Sequence, residues 1–152
     1  MKQHEIIDRA ISARRSVRAF LDTPVDLAVV REILQVASRA PSGTNTQPWK
    51  VYVLTGDAKA RLSAEIIETF MDPAKAAEHH EEYDYYPKEW IEPFIGRRRK
   101  VGFDLYGLLG LTKDDKAGMK RQHARNYQFF DAPVGLIFTI DRIMGKGSYL
   151  DY

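Results

Sequence analysis

A chain of 152 residues with 44% hydrophobic and 29% charged residues fits one ordinary globular domain and is unlike a disordered segment. Its 23 basic and 21 acidic residues leave a formal charge of +2, too balanced for nucleic acid to be the main ligand. Cysteine is absent, which excludes disulfides, thiol catalysis and cysteine-ligated metals, and which fits an intracellular, reducing compartment.

The amino terminus, "MKQHEIIDRA", lacks the apolar run of a signal peptide. Residues 4–15 then place Ile6, Ile7, Ala10 and Ile11 on one helical face. Asp26 is placed to cap a second helix that reaches Ser38, with Val29, Val30, Ile33, Leu34 and Ala37 at helical spacing and Pro41 beyond its end. Residues 49–54 read as a strand and Gly56-Asp57 as a turn. Asp57 is the expected cap of a third helix carrying Leu62, Ile66 and Phe70. "DPAKAAEHHEEYDYYPKEWIEPFIG", residues 72–96, is charged, aromatic and proline-containing, and reads as a long excursion or lid. Helical spacing resumes over 97–109 through Val101, Leu105 and Leu108. A further helix is expected over 114–130, with Met119, His123, Tyr127 and Phe130 along one face. "APVGLIFTI" reads as a buried strand; its apolar core, 134–140, is the longest apolar run and falls far short of the roughly 18 residues of a membrane span. No repeat or linker divides the chain. Two strands make no well-covered sheet by themselves, and "GSYLDY" reads as the start of another helix. The expectation is that a partner supplies strands or that the sequence is part of a longer polypeptide.

Two polar stretches could carry chemistry. "RRSVRAF", residues 14–20, offers the guanidinium groups of Arg14, Arg15 and Arg18 and the hydroxyl of Ser16. Arginine's planar fork suits phosphate and other anionic or carbonyl-rich groups. Taken alone, the stretch fits better as a solvated basic helix end favoured by the helix dipole. "PSGTNTQPW", residues 41–49, admits two readings. Its backbone amides could cradle an anion or a ring edge that Asn45 and Gln47 read, or its polar side chains could serve only its own backbone. Elsewhere, "GRRRK" at 96–100 reads as a solvated helix start, and "HHEE" at 79–82 fits no zinc signature. Tyr85, Tyr86, Trp90 and Phe94 could cover a substrate or merely dock the excursion. There is no G-x-G-x-x-G, P-loop or G-x-S-x-G motif.

Taken together, "RRSVR" after one helix and "APSGTNTQPW" after the next make the chain resemble the nitroreductase family of flavoproteins over residues 6–140. "YPKEW" and "RNYQFFDAPVGLIF" resemble the branch with a long insertion. The resemblance implies an α+β fold, a central and mostly antiparallel sheet flanked by helices, in an intertwined homodimer with FMN at the interface. It implies one domain over 1–152 that lacks a carboxyl-terminal third, with 72–100 as an inserted lid. By the same resemblance Arg14, Arg15 and Ser16 would meet the phosphate and ribityl chain, and Arg18 the pyrimidine edge. Pro41, Ser42, Gly43 and Asn45 would come from the other protomer. Arg125, Asn126 and Gln128 fall in a region that also approaches the flavin, Gln128 being the chosen contact.

The activity so implied is a cytoplasmic oxidoreductase in which NAD(P)H passes hydride through flavin N5 to a nitroaromatic, quinone or similar small acceptor. No side chain acts as a catalytic nucleophile, no metal takes part, and neither nucleic acid nor a membrane is a partner. Other chemistry on the same scaffold (reductive dehalogenation, flavin fragmentation, ene reduction) and a flavin-free remnant are the alternatives. Family members continue with a long dimer helix, two more strands, a glycine segment facing N5, a late basic phosphate contact and a carboxyl-terminal arm. Without these, the 152 residues are expected to be unstable or inactive alone.

Overall fold

A computed structural model of the protein describes residues 2–151, and the structural statements that follow concern these residues. Helix α1, Gln3–Ala13, carries the isoleucine face, and the Glu5 carboxylate accepts from the Lys2 N–H at 2.8 Å to close its first turn. Helix α2, Leu27–Ala37, begins where Asp26 Oδ1 accepts from the Ala28 N–H at 2.8 Å, the cap the sequence indicates. Strand β1, Lys50–Thr55, leads directly into helix α3, Gly56–Met71. Asp57 does not cap α3. Thr55 holds that position without a side-chain bond, and Asp57 lies in the first turn, where its charge meets the positive end of the helix dipole.

The excursion is partly ordered into helix. Asp72 Oδ1 accepts from the Ala74 and Lys75 N–H groups at 2.8 and 3.3 Å and starts helix α4, Pro73–Ala77. Proline at the first helical position costs nothing, because its missing N–H would be unpaired there anyway. The Lys75 ammonium pairs with Glu68 of α3, which raises the Lys75 pKa. Helix α5, Phe94–Leu108, starts earlier than its apolar spacing suggests.

The helix expected over 114–130 divides. Helix α6, Lys116–Ala124, passes into a 3-10 segment, Arg125–Asp131, in which Phe129, Phe130 and Asp131 take left-handed φ values of 56°, 51° and 70°. Pro133 gives the reason: its ring disfavours a helical residue before it, and Ala132 is extended at φ −56° and ψ 137°. Strand β2, Val134–Thr139, follows and pairs antiparallel with β1, from Lys50 opposite Thr139 to Thr55 opposite Val134. A short 3-10 segment, Arg142–Met144, follows, and a second, Lys146–Asp151, occupies the stretch read as a starting helix; Tyr152 lies outside the described residues.

The architecture is α+β, with α3 packed on both strands and on α6. Phe70 stacks on His123 at 5.2 Å and tilts against Tyr127 at 5.1 Å, tying α3 to α6 and the turn after it. Among the described residues only Val30, Ser63, Gly118, Ala124 and Gly135 are buried. A compact monomer of 17.5 kDa exposes about 7,900 Å². This chain exposes 12,596 Å². Apolar faces contribute to the surplus, with Ile6, Ile7 and Ile11 of α1 and Ile33 and Val36 of α2 each more than half exposed. No helix among the described residues is long and apolar enough to cross a membrane.

Candidate functional site

The arginine segment leaves α1 and runs without regular secondary structure to Asp26. Its guanidinium groups are held by neighbours in the chain. Arg14 Nη1 donates to Ser16 Oγ at 3.2 Å, Arg15 Nη1 to the Ser12 and Arg14 carbonyls at 2.9 Å, and Arg18 Nη1 to the Ser16 carbonyl at 3.1 Å. Among the described residues none of the three has a carboxylate partner. Three positive charges are therefore oriented but not neutralised, which suits a dianion better than a solvated helix end requires.

The segment is docked onto the strained turn before β2. The Phe20 N–H donates to the Phe130 carbonyl at 3.0 Å. Arg18 lines a small recess of about 80 Å³ with Leu105, Tyr106, Gln122, His123 and Asn126. The turn itself is braced by Arg125, whose Nη2 donates to Asp131 Oδ2 at 2.7 Å, and by Asn126, whose amide donates to the His123 carbonyl at 2.7 Å. A left-handed conformation costs a non-glycine residue about 1–2 kcal/mol. Three in succession at the mouth of a strand is the kind of strain that persists where the surroundings over-determine it. Sequence reading missed this feature, since nothing in "YQFFDAP" marks left-handed residues except the proline downstream.

The second polar stretch serves its own backbone to a large extent. Ser42 Oγ accepts from the Gln47 N–H at 2.9 Å, Thr46 Oγ1 donates to the Gly43 carbonyl at 3.0 Å, and Gln47 Nε2 donates to Asn45 Oδ1 at 2.9 Å. Thr44, Asn45 and Gln47 have φ values of 51°, 58° and 47°, so this loop too is strained just before a strand. The Gly43 N–H is the exception to self-service. It donates to Asp151 Oδ1 at 3.0 Å, a carboxylate 108 residues away in sequence. That amide thus faces an anion, as a cradle would, and Asp151 is a residue the sequence did not single out. Pro41 lines a cavity of about 640 Å³ with Leu34, Ala37, Trp49, Phe138 and Leu150.

Gln128 is exposed and borders another cavity, of about 500 Å³, with Ile67, Met71, Leu109, Leu111 and Arg121. The structure therefore brings Arg18 to the turn that holds Asn126 and Phe130. Among the described residues no hydrogen bond or ion pair joins residues 14–18 to residues 41–45. Among these residues no group of three or more histidine and carboxylate side chains is arranged to hold a metal ion.

Comparison with known proteins gives a consistent result. The sequence model of the nitroreductase family matches residues 11–150. Chloronitrobenzene nitroreductase of Comamonas testosteroni is 40% identical over 152 residues, covering 100% of this chain and 66% of that protein. 4-Nitrobenzoate reductase of Pseudomonas putida is 43% identical over 145 residues, 95% of this chain and 62% of that protein. Among solved structures, the FMN and NADPH-dependent nitroreductase NfnB from Sphigopyxis sp. strain HMH superposes with a TM-score of 0.83 at 41% identity, over 95% of this chain and 64% of that one. The chain spans 62–66% of the length of these curated relatives, just under two thirds.

Proposed function

This chain belongs to the nitroreductase family, and from that premise we propose that the whole protein is an FMN-dependent oxidoreductase that spends NAD(P)H on nitroaromatic, quinone or similar acceptors. The observation that carries the proposal is the set of three oriented, uncompensated guanidinium groups at Arg14, Arg15 and Arg18 beside a strained turn. They fit a phosphorylated cofactor. Arg14 and Arg15, with the Ser16 hydroxyl, would hold the phosphate and its sugar chain. Arg18, set over a recess, would place positive charge where a reduced ring gathers negative charge. FMN, when bound, supplies a carrier that accepts hydride from NAD(P)H and passes reducing equivalents on to the acceptor. The chain's own residues bind it, orient it and bias its charge, and Gln128 is a further contact in this reading.

That no hydrogen bond or ion pair joins residues 14–18 to 41–45 within the described residues fits a two-chain pocket. Pro41, Ser42, Gly43 and Asn45 would reach the cofactor held by the partner's arginines in a homodimer. A second copy would cover part of the surface beyond the compact value, since intertwined obligate interfaces bury about 2,000–5,000 Å² or more in total, half of it on each chain. Residues 1–152 would act as a single domain, with 72–100 as a lid over the acceptor. In this reading the protein works in the cytoplasm, with NAD(P)H as its reductant.

The test is the intact protein, purified and examined for visible flavin absorbance. Arg14→Gln and Arg18→Gln are expected to weaken FMN binding by about ten- to a hundredfold each, because hydrogen bonds to charged groups are worth about 1.5–3 kcal/mol. Circular dichroism should be unchanged. A colourless protein, or FMN affinity indifferent to both substitutions, overturns the proposal.

A further inference from the structure

The basic run at the start of α5 is not uniform. Lys100 is paired with Asp104 at 2.6 Å. Arg98 is held differently: its guanidinium carbon lies 5.3 Å from the centre of the Tyr86 ring and 4.7 Å from that of Trp90. Those rings are 5.7 Å apart, and Tyr85 packs edge-on against Tyr86 at 4.7 Å. Both distances are within the roughly 6 Å of a cation–π contact, which holds the guanidinium against the rings but uses none of its N–H donors. Among the described residues those donors have no hydrogen-bond acceptor and no carboxylate. The excursion thus holds a cation against two aromatic rings with its N–H donors unpaired among the described residues.

What lies next to it on the helix is equally specific. Ile95, Gly96, Gly102, Leu105 and Tyr106 are the half-buried residues of α5, and Arg98 is exposed. Gly102 lies one turn beyond Arg98 in the helix, and a Cβ built there would meet nothing within 4 Å. Glycine inside a helix costs about 0.8–1 kcal/mol relative to alanine, and here it leaves a flat ledge of bare backbone. Seven residues, two turns, separate Arg98 from Leu105, so both lie on one face about 10 Å apart along the axis. Leu105 and Tyr106 border the recess that Arg18 lines.

We propose that Arg98 is a specificity-determining residue that selects acceptors bearing a carboxylate on an aromatic ring. The ring would lie over Gly102 and beside Trp90, its carboxylate taken by the open edge of Arg98 and its far end directed towards the Arg18 recess. A planar anion suits this seat for separate reasons: the fork matches a carboxylate bidentately, and the ledge admits a flat body without a side chain in the way. As a statement about acceptors it rests on the proposed nitroarene-reducing activity; as a statement about binding it does not.

The experiment compares 4-nitrobenzoate with its neutral counterpart 4-nitrobenzamide in the intact protein, by calorimetric binding without reductant and by kcat/KM with NAD(P)H. The unsubstituted protein is expected to favour the acid. Arg98→Gln should weaken binding of the acid by about ten- to a hundredfold and change the amide by less than about twofold. Arg98→Lys should keep part of the preference, since it retains charge without the fork. Gly102→Leu, a better helix former that fills the ledge, should weaken both ligands. Equal binding of acid and amide by the unsubstituted protein overturns the proposal, as does an Arg98→Gln effect common to both or absent from both. Acid binding that survives Gly102→Leu also overturns it. If the acid binds through Arg98 and is not reduced, the nitroreductase activity fails while the binding site stands.

Discussion

Around β2 the side chains interlock. The Phe129 ring lies against Gly135 so closely that a Cβ on Gly135 would stand 2.6 Å from it. Phe70, His123 and Tyr127 stack alongside, and Ala124 and Ser63 are buried within the same group of elements. Around α1 and α2 residues of the same kind face outward: Ile11 is 72% exposed and Val36 69%. No residue of α1 is buried, and Val30 alone is buried on α2. Both regions have regular apolar spacing, so spacing does not decide whether a face is satisfied within its own chain. The first region is a core, and the second is half of one.

The strongest way to break this division is to place charge on the outward faces of the intact protein. If a second copy covers them, Ile11→Glu or Ile33→Glu forfeits about 1.5–3 kcal/mol of burial per site. A two-fold interface uses each site twice, so the dimer loses about 3–6 kcal/mol, a hundredfold or more in its dissociation constant. Sedimentation should show monomers, with the flavin released. A dimer that keeps its affinity after both substitutions would mean that these faces are covered by something other than a second copy.

The complementary test strikes the satisfied region. Gly135→Ala forces the Phe129 ring away from β2, and overpacking of this kind costs about 1–3 kcal/mol. Phe129 has little freedom to yield, because its backbone is left-handed and the Lys59 ammonium sits 5.6 Å above its ring. Phe129→Ala should therefore rescue part of the loss, and a double-mutant cycle read by thermal unfolding measures that coupling. Additive costs would show that the ring and the glycine are not in contact.

The same contrast explains what could be read from residues alone. Periodicity placed α1, α2 and both strands because 3.6- and 2-residue patterns are local properties. It also identified Asp26, since a cap needs only one side chain and the next turn. It mistook Asp57 for a cap because Thr55, two residues earlier, is itself extended and lets α3 start at once. It ran α6 through to Phe130 because left-handed residues at 129–131 leave no mark in composition. Arg14, Arg15 and Arg18 were visible as charges, but that they lack carboxylate partners is a fact of three dimensions. The Asp151 contact on the Gly43 amide and the open space beside Gly102 are facts of three dimensions that no spacing encodes.

The smallest expected effect sharpens the division most finely. Asp26→Ala removes the cap of α2, worth about 1 kcal/mol. In a chain that unfolds as one unit, that loss would appear everywhere as a lower melting temperature. Helix α2 is only lightly held by the rest of its own chain, with Val30 its one buried residue. The loss should then stay local. Hydrogen exchange of the first-turn amides of α2 should quicken by about fivefold, while amides of β2 keep their rates, since sub-global openings are set by local contacts. Asp26→Asn, which keeps an acceptor, should restore most of the protection and show that the hydrogen bond matters more than the charge. Equal acceleration in α2 and β2 would place the two regions in a single cooperative unit, and the outward apolar faces would then be a surface feature of one core.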